Sequence, residues 1–339
     1  LGLTGLPKLI KSLLLLYFCN ESIGKPVNII KMDRRQFLRK SVIYSTIGSL
    51  YASTIGRIPG LAARNADSQP GHYDLVAVRG GEPVAMYRRA ISEMGGIQRY
   101  VRPGQRVVVK PNAAWDTPPE RAANTNPDLV GAIVKDCLDA GASQVFVFDH
   151  TCDNWQITYE NSGIDAAVRA AGGRMVPGNF ERNFRDVTIP GAKRLTSAKV
   201  HEQILDADVF INVPVLKHHG STTVTIAMKN LMGIVWDRRY WHRNDLHQCI
   251  ADFCLFRKPD LNIVDGYRVM TQNGPKGTST SDLVMMKSLL VSSDIVAVDA
   301  ASTLIFGAQP RDIGHLRIAH EMNIGTINLE NLNIRRIAM

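Results

Sequence analysis

Pairs of cysteines in C-x-x-C spacing are missing from this chain, whose five cysteines are scattered. An ordinary ferredoxin cluster or zinc ribbon needs such pairs to bring thiolates onto one metal, so neither is supported. The phosphate-binding P-loop, the G-x-G-x-x-G fingerprint and the G-x-S-x-G nucleophile elbow are also missing, which leaves no recognisable nucleotide loop or serine nucleophile. Aromatic residues make up only 7%. No long apolar run is present, and the stretch from Leu13 to Cys19 is too short to cross a bilayer.

Excess charge is missing from the body of the chain. The formal charge is +9, but residues 1–66 hold ten of the 40 basic and two of the 31 acidic residues, leaving 30 against 29. A phosphate-backbone binder needs positive charge on its folded part, so nucleic acid is not an expected partner. With 339 residues and 45% hydrophobic composition, the chain is long enough to build a real core.

The basic excess explains itself. Asp33-Arg34-Arg35-Gln36-Phe37-Leu38-Arg39-Lys40 is a twin-arginine run, followed by a moderately apolar segment from Val42 to Gly56 and small residues around Pro59 to Ala63. That order reads as a twin-arginine export signal over residues 32–66. Met32 directly precedes it, and residues 1–31 read as an upstream extension outside the fold. The mature protein is then expected in the periplasm or outside the cell, with the twin-arginine translocase as a partner. Export of this type carries folded proteins, which raises the expectation of a cofactor without identifying one. Disulfides are permitted there, and the pairing of Cys137, Cys152, Cys249 and Cys254 stays open.

From Tyr73 onward, strands alternate with helices. Tyr73 to Val78, Arg106 to Val109, Val145 to Phe148, Val209 to Val213, Leu261 to Val264 and Val284 to Val291 read as strands, the fourth ended by Pro214. Pro83 to Met94, Asn126 to Ala140, Ser162 to Ala171, Ile226 to Met232, Asn244 to Phe256, Ile295 to Phe306 and Arg311 to Glu321 read as helices, and Leu329 to Ile337 alternates like an edge strand. The expected fold is α/β, a largely parallel central sheet with helices on both faces, formed by residues 73–339 as a single domain.

Four apolar strands end in chemistry. Lys110 and Asn112 follow one, Asp149 and His150 another, Lys217, His218 and His219 a third, and Asp265 a fourth. In open parallel sheets these ends share one edge, where ligands bind. Lys110, Lys217 and Lys229 suit a carboxylate or phosphate, with Asn112, Asn230 and Gly274 orienting it. Lys217, His218, His219 and Asp265 are the candidates for proton transfer. Asp149, His150 and Asp299 are candidate ligands of a divalent metal.

The motifs VVVKPN at 107–112, VPVLKHH at 213–219, MKNLMG at 228–233, IVDG at 263–266 with Gly274, Pro275 and Gly277, and DIVAVD at 294–299 resemble, in this order, the family catalogued as domain of unknown function 362. The resemblance implies an α/β domain often joined to ferredoxin-like iron-sulfur modules. No cluster-binding cysteine array follows the domain here, so an intrinsic cluster is not expected, while an electron-transfer partner protein fits. Two functions remain in contention. One is an exported enzyme acting on a small anionic ligand, with a metal or in a redox pathway; the other is a non-catalytic accessory protein of a periplasmic redox complex.

Overall fold

Val107 to Val109 and Val209 to Val213 cannot be left in water, and they form the middle of the fold as two parallel strands in register. The computed structural model describes residues 73–339; the expected extension at 1–31 and export signal at 32–66 lie outside the described residues. The strands are β1 (Leu75–Arg79), β2 (Arg106–Pro111), β3 (Gln144–Val147), β4 (Arg174–Met175), β5 (Phe184–Thr188), β6 (Ser197–His201), β7 (Val209–Val213), β8 (Val215–His219), β9 (Thr223–Thr225), β10 (Leu261–Met270), β11 (Leu283–Ser292) and β12 (Ile334–Ala338).

Ten of them make one mixed sheet in the order β12-β1-β11-β10-β7-β2-β3-β4, with β8 joined to β10 and β9 joined to β8. Every neighbouring pair along the main path is parallel except those made by β11, which runs against both β1 and β10. The remaining two strands, β5 and β6, form a separate antiparallel pair.

Among the described residues, ten helices connect these strands: α1 (Pro83–Glu93), α2 (Pro127–Asp139), α3 (Trp155–Asn161), α4 (Ile164–Ala170), α5 (Glu202–Leu205), α6 (Ala227–Asn230), α7 (Arg238–Arg243), α8 (Leu246–Phe253), α9 (Ile295–Phe306) and α10 (Gly314–Glu321). Alternation along each strand sends Val107, Val109, Ile211 and Ile263 to a core with α1, α2 and α4. Val108, Phe210, Val264 and Leu290 go to a second core with α6, α8, α9 and α10. The fold is thus α/β, with a mostly parallel sheet covered on both faces. Among the described residues, no helix is long and apolar enough to cross a membrane.

Pro214 does not end the chain's extended run. It removes one N–H from the ladder, but its carbonyl still accepts from Asp265 N at 2.9 Å, and the chain resumes as β8 alongside β10. Lys217 and the two histidines therefore lie on a strand that turns back through β9, beyond the point where Pro214 was expected to end the strand. β10 likewise runs past Val264 to Met270, through an irregularity at Gly266 to Arg268.

Candidate functional site

Lys110 leaves β2 on the face that carries Val108, and Asn212 and Asn262 stand beside it in register on β7 and β10, followed by Ser292 on β11. A row of polar side chains thus crosses the buried face of the sheet. Unpaired amides here would cost about 1–3 kcal/mol each, so their bonds are informative. Asn212 Nδ2 donates to Asn262 Oδ1 at 3.0 Å and to the Ala227 carbonyl at 3.1 Å. Asn262 Nδ2 donates to the Ser292 carbonyl at 3.3 Å.

Asn230, at the end of α6, ties this row to the lysines. Its Nδ2 donates to Asn212 Oδ1 at 2.8 Å and to the Lys110 carbonyl at 3.3 Å. Its Oδ1 accepts from Lys110 Nζ at 2.8 Å and from Asn112 Nδ2 at 3.1 Å. Asn112 Oδ1 in turn accepts from Lys217 Nζ at 3.1 Å, and Lys217 Nζ also donates to the Ala123 carbonyl. Each amide is oriented by the bonds on both of its ends.

Asp149 completes the cluster. Its Oδ2 accepts from Ala113 N at 2.7 Å, and its Oδ1 stands 3.0 Å from Lys110 Nζ, an ion pair out of line for a hydrogen bond. The approach depends on Gly233. A Cβ there would lie 2.7 Å from Lys110 Cε and closer still to Asp149 Oδ1, so no side chain fits between them. α6 begins where Asp299, fully buried on α9, accepts from Ala227 N at 2.7 Å and Met228 N at 3.0 Å.

Lys110 and Lys217 are each only 1% exposed, and Lys229 is 8% exposed with Nζ 3.4 Å from Met232 Sδ. Burial pulls the Lys110 amine below its ordinary value, against the attraction of Asp149. Burial lowers Lys217 to about 7, with the charges of Lys229 and Lys110 pushing the same way. Removing a charged group from water costs several kcal/mol after relaxation. Lys110 and Lys217 share this region with a single carboxylate, Asp149, within ion-pair distance of either among the described residues, so positive charge is in excess there.

The other expected residues are placed as follows. Asp265 lies outside this network: its Oδ2 accepts from Asn126 N at 2.8 Å and its Oδ1 from Tyr267 N at 3.0 Å, bracing the start of α2, and burial raises its carboxyl. His218 and His219 point to opposite sides of β8, and both use Nδ1 as an acceptor, from Gly274 N and Ser221 N, each at 3.1 Å. Burial lowers both rings, and for His219 the charge of Lys229 adds to it. Gly274 packs directly on the His218 carbonyl, so it positions that histidine.

The structure does not bring the three metal candidates together. Asp299 serves the start of α6, while His150 Nδ1 meets the Val235 carbonyl at 2.9 Å and its ring stacks on Trp236 at 5.0 Å. Burial and the Arg238 charge lower His150 to about 3. Among the described residues, no three His, Cys, Asp or Glu side chains gather as a metal requires. Cys137, Cys152, Cys249 and Cys254 are all free; only Cys152 is exposed, 3.6 Å from Arg238.

Sequence reasoning missed Asn212, Asn262 and the Ala123 carbonyl. The asparagines carried a signal: each interrupts an apolar strand on the side that faces Lys110. The Ala123 carbonyl left none, because a loop conformation places it. Among the described residues, a shallow open hollow lined by Arg88, Gly96, Asp136 and Asp139 lies where α1 and α2 end, at the opposite edge of the sheet from the lysines.

The family model described as domain of unknown function (DUF362) matches residues 107–303. A thylakoid-associated protein of Synechocystis sp. is 27% identical over 241 residues, covering 69% of this chain and 73% of that protein. The lactate racemase apoprotein from Thermoanaerobacterium thermosaccharolyticum aligns over 70% of this chain with a TM-score of 0.45 and 12% identity. This chain spans 58% of that structure's length.

Proposed function

The chain belongs to the family described as domain of unknown function (DUF362), and for this member we propose an enzyme that takes a small carboxylate or phosphate at the lysine cluster. One observation carries this reading: Lys110 and Lys217 are buried together, and among the described residues Asp149 is the one carboxylate within ion-pair distance of either. Buried positive charge of this kind is relieved in two ways, by loss of a proton or by an incoming anion. Both suit catalysis, since the first supplies a base and the second a bound substrate. The cover over Lys217 is the loop between β2 and α2, through the Ala123 carbonyl, so entry of a ligand moves that loop.

The Arg34-Arg35 run supports a place of action beyond the membrane, reached by twin-arginine export. The accessory-protein reading has no comparable support, because nothing about a docking role calls for three buried lysines.

Ligand-observed NMR of the mature protein with acetate, pyruvate, succinate and inorganic phosphate tests the proposal. Saturation transfer to at least one of them, lost in Lys110→Met and Lys217→Met proteins that remain folded, is the expected result. Transfer that survives in both folded variants would move the site elsewhere.

A further inference from the structure

Lys217 differs from its neighbour Lys110 in what its amine can bond. Lys110 Nζ meets one amide oxygen and one carboxylate oxygen. Lys217 Nζ meets two neutral oxygens, Asn112 Oδ1 and the Ala123 carbonyl, and among the described residues no carboxylate stands within ion-pair distance. An ammonium has three N–H donors and the side chain is 1% exposed, so one donor would be left bare. A neutral amine has two donors and a lone pair. Both donors are then used, and the lone pair is free to react.

We propose that Lys217 is a nucleophile that forms an imine with a ligand carrying both a carboxylate and a ketone or aldehyde carbonyl. This deepens the anion-site reading and rests on it: Lys110 holds the carboxylate while Lys217 meets the carbonyl carbon. The amine lone pair attacks that carbon, and the C=O electron pair moves to oxygen. The C–O bond then breaks as the C=N bond forms, and both amine protons leave with the oxygen as water. No oxidant or further reactant is required. The neighbouring cations favour the neutral amine, in line with the lowering of Lys217 to about 7.

Asn112 has a positioning role in this scheme. Its Oδ1 holds the amine, and its Nδ2 is locked by Asn230, so the lone-pair direction follows from an amide that cannot flip.

The test incubates the full mature protein with pyruvate or glyoxylate and sodium cyanoborohydride, then maps adducts by peptide mass spectrometry. Ligand-observed NMR with the same two probes reports binding separately. The expected result is one adduct, on the peptide containing Lys217, at least tenfold above any at the exposed Lys135, Lys193 and Lys258. Lys217→Arg, which keeps a cation but cannot form the imine, should lose that adduct while the probe still binds. Binding of either probe without an adduct at Lys217 overturns the nucleophile and leaves the anion site standing. Absence of both binding and adduct overturns the imine and also removes support for the anion site. Adducts spread evenly over surface lysines overturn the inference as well.

Discussion

A buried amine is stable only as far as its surroundings accept its charge. Unfolded, Lys217 titrates near the ordinary lysine value of about 10.4, and folded, at about 7. Between these values the unfolded chain binds more protons, so stability rises with pH across that window, and the charging penalty is fully present below it. Lys217→Met should therefore stabilise the ligand-free protein, by about 1–4 kcal/mol at pH 6, and the gain should shrink as pH approaches 10. Urea unfolding of both proteins at several pH values measures it; a gain that stays constant with pH would contradict the assignment. Asp299 makes the opposite case. Its two oxygens accept from Ala227 N and Met228 N while burial raises it to about 8. Asp299→Asn would set an NH2 group against one of those N–H donors, and a loss of about 1–3 kcal/mol is expected in the same unfolding assay. An unchanged midpoint would show that the pair of bonds contributes little.

At the scale of elements, the site is made where β2, β7 and the short α6 meet, and close approach is its condition. Gly233→Ala places a methyl group against Asp149 Oδ1 and Lys110. The variant should lose at least about 2 kcal/mol, typical of breaking a buried ion pair or overpacking a core, and circular dichroism during thermal unfolding would report it. Retention of the wild-type melting temperature would mean that α6 moves away at little cost. Most strands were legible because apolar β-branched runs bounded by glycine, proline and charged residues leave few alternatives. The β8–β9 hairpin was not, because a proline inside a strand run reads as an end, whereas here the Pro214 carbonyl keeps its place beside Asp265. The helices α3, α5 and α7 were also unread, being four to seven residues long and lacking a sustained apolar period.

For the molecule as a whole, parallel strands bring residues far apart in sequence to one edge, and that logic was readable from the strand endings alone. Lys110, Asn112, Asp149, Lys217 and Asn230 do meet. What the endings could not tell is depth: they implied a cleft, yet the lysines are out of water, with Lys217 under the β2–α2 loop. Nor could they show that the Asp265 carboxylate is spent on backbone N–H groups, since only the folded α2 supplies Asn126 N.

The central claim is that the excess charge of the cluster is answered by a small anion. A ligand that binds only the folded state raises stability by RT ln(1 + [L]/Kd), about 2.7 kcal/mol at a hundredfold excess over Kd. Differential scanning calorimetry of the wild type and Lys217→Met across a range of pyruvate and phosphate concentrations in the low millimolar range tests it most directly. The account predicts a melting temperature that climbs with the logarithm of one anion's concentration in the wild type and stays flat in the variant. Equal shifts in both proteins, or none in either, would contradict it.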